Sequence, residues 1–199
     1  WTKPVFSPGR VNLSEVICSL NDVLPDNAII ANGAGNYTAW VHRFYRYRTL
    51  GSQLAPTAGS MGYGLPAAVA AKLVQPHRPA IVFAGDGCFM MTGQELATAV
   101  QYQLSVVIVV VNNGMFGTIR MHQERRFPGR VIGTELVNPD FCALAQAYGA
   151  HAERVEETAA FLPTLRRALD ISGPALIELI VDPEAITPTR TLSDLKAGG

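Results

Sequence analysis

Two apolar runs in this chain end in short polar motifs. The run from Pro79 to Ala84 passes into Gly85-Asp86-Gly87, and the run LSVVIVVV from Leu104 passes into Asn112-Asn113-Gly114. Read as strands, the two runs deliver a carboxylate and a carboxamide at their carboxyl ends. Asp86 and Asn113 are 27 positions apart, close to the roughly 30 residues of a βαβ unit. A right-handed helical crossover between parallel strands brings both ends to one edge of the sheet, where open α/β sheets bind ligands. Neighbouring strands lie about 4.8 Å apart, so two oxygen-bearing side chains there can share one small cation. Mg²⁺ suits that pair, because it takes oxygen ligands at about 2.0 to 2.1 Å and keeps positions for phosphates and water. The glycines around Asp86, with Gly114 and Gly117, let the backbone approach a bulky anion and turn N–H groups toward it, as a diphosphate requires. Neither a G-x-x-x-x-G-K-[ST] loop nor a lysine lies near these turns, so the metal and the backbone dipoles must offset the anion's charge.

The elements that would hold these groups follow from the alternation of short β-branched runs with longer helical patterns. That alternation indicates an α/β fold, a three-layer sandwich whose mostly parallel sheet is covered by helices on both faces. Strands are expected at 28–31, 80–84, 105–111 and 175–181, each nearly all apolar, as strands buried on two sides are. Helices are expected at 13–24, 65–74, 93–103, 141–148 and 159–171. Asn12 with Glu15 and Thr92 with Glu95 have capping-box spacing, and Asn138 precedes Pro139 at a helix start. Gly149 and Gly173 read as helix stops. Residues 1–181 form the expected domain, and the Pro-, Thr- and Gly-bearing segment 182–199 an arm or tail.

Composition narrows the classes. The 199 residues suit one domain, with 48% apolar and 16% charged residues, a balance that disordered chains lack. Sixteen basic residues against sixteen acidic ones supply no net field for nucleic acid. The longest apolar stretch, Val106 to Val111, falls far short of the roughly 20 residues that cross a bilayer. Three cysteines without C-x-x-C argue against a disulfide framework or zinc site and place the chain in a reducing, cytoplasmic setting. Trp1 in place of Met reads as the start of a cut or processed piece.

Gly-Asp-Gly, 24 intervening residues and Asn-Asn together resemble the cofactor signature of thiamine-diphosphate-dependent enzymes. The resemblance covers nearly the whole chain and is closest to the pyrophosphate-binding, C-terminal domain of the acetolactate synthase, pyruvate decarboxylase and benzoylformate decarboxylase group. It implies thiamine diphosphate and Mg²⁺ as cofactors. Asp86 and Asn113 would bind the metal through side chains and Met115 through its carbonyl, while Gly87, Cys88, Phe116 and Gly117 would hold the diphosphate through backbone groups. The stretch from Gly59 to Ala68 resembles the family's aminopyrimidine segment. There the Gly59 carbonyl and Met61 N–H would bind the ring, with Ser60 between them, and the Met61 side chain would wedge the cofactor bent. The bend makes loss of the thiazolium proton an intramolecular step. Gly35-Asn36-Tyr37 resembles a family turn near the diphosphate. Thr118, Ile119 and His122, just past the metal loop, would face the substrate. Acetolactate synthases usually carry tryptophan near the last of these positions, a departure here.

The resemblance also implies a 2-oxo acid substrate, with decarboxylase and carboligase outcomes sharing every residue named. The glutamate that activates the cofactor belongs in this family to a separate pyrimidine-binding domain. No catalytic residue is therefore assigned to this chain, which is expected to be half of a composite site, inactive alone, within a homo-oligomer. Two other classes fit the sequence less well. A catalytically silent assembly subunit would not need both metal side chains, and a nicotinamide-binding Rossmann domain would need a G-x-G-x-x-G turn after a strand. Singly, Glu95 reads as a helix cap, Cys88 as a small filler, and the arginines at 120, 125, 126 and 130 as a solvated face or subunit contact.

Overall fold

The computed structural model describes residues 2–197; Trp1 and the last two residues of the expected tail lie outside the described residues. Its elements in chain order are α1 (Leu13–Val23), β1 (Ile29–Asn32), α2 (Thr38–Phe44), β2 (Gln53–Leu54), α3 (Gly64–Val74), β3 (Ala80–Gly85), α4 (Asp86–Thr92), α5 (Leu96–Gln101), β4 (Val106–Asn112), α6 (Gly117–Arg126), α7 (Phe141–Ala147), β5 (His151–Val155), α8 (Thr158–Asp170), β6 (Ala175–Ile180) and α9 (Leu192–Ala197). The six strands form one parallel sheet in the order β2-β1-β3-β4-β6-β5. This is the α/β class expected from the alternating pattern. The direction of winding reverses between β1 and β3, which places the open crevice of the sheet at their carboxyl ends.

Side-chain alternation along the strands divides the core. Ile81, Phe83, Val107, Val109, Ile177 and Leu179 join Trp40, Phe44 and Phe161 from α2 and α8 on one face. Val82, Ala84, Val106, Ile108, Val110 and Leu176 join Leu65, Leu96 and Phe141 from α3, α5 and α7 on the other. The ladder between β3 and β4 runs from Ala80 with Val106 to Gly85 with Val111. The two polar motifs therefore leave the sheet at the same level.

Among the described residues no helix is long and apolar enough to cross a membrane. The expected strands appear shifted by a residue at most, and β2 and β5 are added at the two edges. The segment from Asp182 lies beyond the sheet as an arm, yet it is anchored. Ile186, Leu192 and Leu195 are buried against Met115, with Met121 of α6 alongside.

Three expected caps fare differently. Asn12 caps α1, its Oδ1 accepting from Ser14 and Glu15 N–H groups. Thr92 does not cap: its hydroxyl donates to the Gly62 carbonyl at 2.7 Å, and Glu95 instead accepts from the Thr98 hydroxyl. The expected helix from Gly93 begins with a 3₁₀ turn over Gly93–Glu95. Asn138 is not the cap of α7 either; Asp140 takes that place by accepting from Ala143 N–H. Gly149 ends α7 with a φ of +90°, the left-handed geometry that favours glycine.

Candidate functional site

The chain leaves β3 and turns at once into α4, so Asp86 is the first helical residue. Its carboxylate is only 3% exposed. Oδ1 accepts from Gly87 N–H at 2.8 Å, while Oδ2 accepts from Gly114 N–H and Asn138 Nδ2, each at 2.8 Å. Burial pushes the Asp86 pKa above the usual carboxylate range, and these donors oppose the rise by favouring the charged form.

At the end of β4 two consecutive side chains fold back on the turn they begin. Asn112 Oδ1 accepts from Gly114 N–H at 3.1 Å, and Asn113 Oδ1 accepts from Met115 N–H at 3.2 Å. These successive Asx turns hold Gly114 at a φ of +69°, which glycine adopts without a Cβ penalty. The next residues pair with the segment before α7, through Phe116 N–H to the Thr134 carbonyl and Leu136 N–H to the Gly114 carbonyl. Neither bond uses the Met115 carbonyl.

Asp86, Asn113 and Met115 line one cleft of about 610 Å³, part of it open to solvent. Asn36, Tyr37, Met61, Gly87, Cys88, Phe116, Gly117, Thr118 and Ile119, all expected at the site, line it too. Gly59 lines an adjoining recess that shares Asn36 and Thr118 with the cleft. Ser60 is exposed and lines neither, and His122 is likewise exposed and outside both. Among the described residues no lysine or arginine lines the cleft.

Several expected contacts are engaged inside the protein. Gly87 N–H is bound by Asp86, and Phe116 N–H by Thr134. Asn36 accepts from the Thr118 hydroxyl at 2.8 Å and donates to the Ile186 carbonyl at 3.0 Å, joining the turn after β1, α6 and the C-terminal arm. The Tyr37 hydroxyl donates to Cys88 Sγ at 3.5 Å, and its pKa is driven well up, chiefly by burial. Cys88 Sγ also accepts from Gly62 N–H. The thiol thus connects the turn after β3 with the segment from Gly59, more than the small filler expected of it.

Asn138, Asn112 and Ile186 bond groups of the site and were not expected there, and Glu178 lies behind Asn112. Asn138 lies 52 positions from Asp86 in sequence, with no local pattern to mark the bond.

The donor set is chemically uniform. A carboxylate, a side-chain amide oxygen and a main-chain carbonyl are hard oxygen ligands suited to Mg²⁺ rather than to a soft transition metal. Glycine is required at the turn: a Cβ on Gly87 would overlap the Phe116 ring. The first turn of α6 begins at Gly117 and opens at the cleft, where unpaired helical N–H groups favour an anion. Hard oxygen donors beside an open helix start, at the winding reversal of a parallel sheet, are the arrangement of a ligand-binding α/β domain.

The family described as "Thiamine pyrophosphate enzyme, C-terminal TPP binding domain" matches residues 33–179. The mitochondrial acetolactate synthase catalytic subunit of Aspergillus candidus is 35% identical over 178 residues, 87% of this chain and 26% of that protein. The acetolactate synthase large subunit of Lactococcus lactis is 35% identical over 170 residues, 84% of this chain and 29% of that protein. A putative thiamine pyrophosphate-containing protein of Bacillus subtilis is 31% identical over 178 residues, 88% of this chain and 31% of that protein. The chain therefore belongs to the thiamine pyrophosphate enzyme family and is its C-terminal, cofactor-binding domain. It spans between a quarter and a third of the length of these relatives.

Proposed function

We propose that this domain holds Mg²⁺ and the diphosphate of thiamine diphosphate at the carboxyl ends of β3 and β4, within an acetolactate-synthase-like enzyme acting on 2-oxo acids. One observation carries the reading: Asp86 and Asn113, just past the ends of adjacent parallel strands, line the same cleft as Met115. Asp86 and Asn113 supply side-chain oxygens to the metal, and Met115 its carbonyl. With no basic side chain among the described residues lining the cleft, the cation and the start of α6 offset the diphosphate charge. Gly59 and Met61 hold the aminopyrimidine, and Thr118 and Ile119 border the substrate. His122, exposed and outside the cleft, lies further along α6.

Bound thiamine diphosphate supplies the electron sink that lets a 2-oxo acid lose CO₂. The names of the relatives favour joining the remaining fragment to a second 2-oxo acid. This chain binds and orients; the proton-handling glutamate is assigned to a pyrimidine-binding domain elsewhere in the enzyme or in a partner subunit. Alone, the chain turns over little. The deciding experiment is calorimetric titration of thiamine diphosphate with and without Mg²⁺, on the native chain and on Asp86→Ala. Metal-dependent binding that disappears in the variant is expected; equal binding by both proteins rejects the assignment.

A further inference from the structure

We propose that Asn138 and Asn112, locked by the buried Glu178 carboxylate and its ion pair with the more exposed Arg154, are positioning residues that aim Asp86 Oδ1 at the metal; this rests on the metal site proposed above. Glu178 sits in the middle of β6, 1% exposed, between apolar neighbours. A buried carboxylate is costly unless paired, and an apolar residue would serve packing as well or better. Its partners explain its presence. Oε2 accepts from Arg154 Nε at 2.8 Å, and Oε1 accepts from Asn112 Nδ2 at 2.7 Å. Asp140 and Cys142 complete a compact group with Glu178. Arg154 pairs with both carboxylates, and burial and Glu178 push the Cys142 thiol up to about 11. Arg154 thus ties both carboxylates into one ion-pair cluster.

From Glu178 the hydrogen bonds run in one direction. With its Nδ2 held by the carboxylate, the Asn112 amide must present Oδ1 toward the turn, where it accepts from Gly114 N–H and from Asn138 Nδ2 at 2.9 Å. A flipped amide would set oxygen against the Glu178 carboxylate and NH₂ against two further donors. Asn138 Nδ2 has two hydrogens, and the second goes to Asp86 Oδ2. Oδ2 is then closed by two donors, Gly114 N–H and Asn138. Oδ1 accepts from Gly87 N–H, and the backbone of Asn113 also supports the carboxylate; with Oδ2 taken by the Asn138 side chain, Oδ1 is the oxygen turned to the cation. The same geometry separates the two asparagines of the motif: Asn112 is consumed in orienting, and Asn113 keeps an acceptor position for the metal.

Outer partners of metal ligands typically change affinity about 10- to 100-fold. In the full-length protein carrying this chain, Mn²⁺ titrated at saturating thiamine diphosphate and followed by the EPR signal of free metal gives the affinity directly. Asn138→Ala is expected to weaken binding about 10- to 100-fold, and Glu178→Gln to weaken it in the same direction. The metal-free thermal midpoint of Asn138→Ala should stay near that of the native protein. A merely structural residue would move the midpoint and leave metal affinity alone. Asp86→Ala separates the two claims. If it keeps native affinity, the metal-site reading fails and the relay with it. If it loses the metal while Asn138→Ala and Glu178→Gln bind as the native protein does, the relay alone is overturned. Should Glu178→Gln not fold, Asn138→Ala decides, because Asn138 lies in a loop outside the sheet.

Discussion

The backbone N–H of Gly62 donates to the Sγ of Cys88 at 3.1 Å, so a thiol fastens the segment from Gly59 to the turn after β3. Gly33 approaches the same sulfur so closely that a Cβ there would overlap it. Gly33→Ala is expected to cost about 1–3 kcal/mol through forced displacement of a packed neighbour. Truncation of the sulfur in Gly33→Ala/Cys88→Ala should return part of that loss. Urea denaturation of the four proteins of this cycle measures the coupling, and strictly additive effects would contradict the contact.

Phe141 at the start of α7 is fully buried and meets Phe89 of α4 edge-on, with ring centroids 5.7 Å apart. It packs in the core between α7 and the sheet. Phe141→Ala should lower stability by about 3–5 kcal/mol, the usual cost of deleting a buried ring. Denaturant midpoints at constant m-value provide the check.

Cys142 supplies a pH-dependent signature. Burial and the neighbouring Glu178 carboxylate hold its pKa at about 11, so only about 0.1% is thiolate at pH 8. Iodoacetamide labelling read by mass spectrometry should be slow there and rise about tenfold per pH unit up to pH 10. Rapid labelling at pH 8 would mean that the ion-pair cluster does not form as described.

The C-terminal arm covers Met115 with Ile186, Leu192 and Leu195, and Ile186 also receives the Asn36 amide. Ending the chain after Thr187 removes α9 while leaving the sheet. The far-UV circular dichroism of the core should persist, and calorimetry should show weaker metal-dependent binding of thiamine diphosphate. Unchanged affinity would show that the arm does not support the metal loop.

What the sequence disclosed follows from where its physical signals are local. β3 and β4 are continuous apolar runs closed by glycine, so the positions of Asp86 and Asn113 could be read from the chain itself. β5 could not: His151-Ala-Glu-Arg-Val155 is a half-exposed edge strand with neither alternation nor an apolar run. α6 carries four charged residues in ten and lacks a clear apolar stripe. The Asn138–Pro139 pair imitates a helix start, yet Asp140 does the capping and frees Asn138 for Asp86. Thr92 and Glu95 had capping spacing, but Gly62 captured the hydroxyl. Spacing marks what a residue can do, and the fold decides which of its long-range partners prevails.

The last rung of the β3–β4 ladder, Gly85 beside Val111, ties assembly of the hydrophobic interior to assembly of the binding edge. A one-residue slip would turn every side chain of a strand to the opposite face, so a misaligned sheet would forfeit its interior before it could offer a malformed edge. The domain thus proofreads its own ligand geometry: molecules with a correctly aligned sheet carry Asp86 and Asn113 to the same cleft.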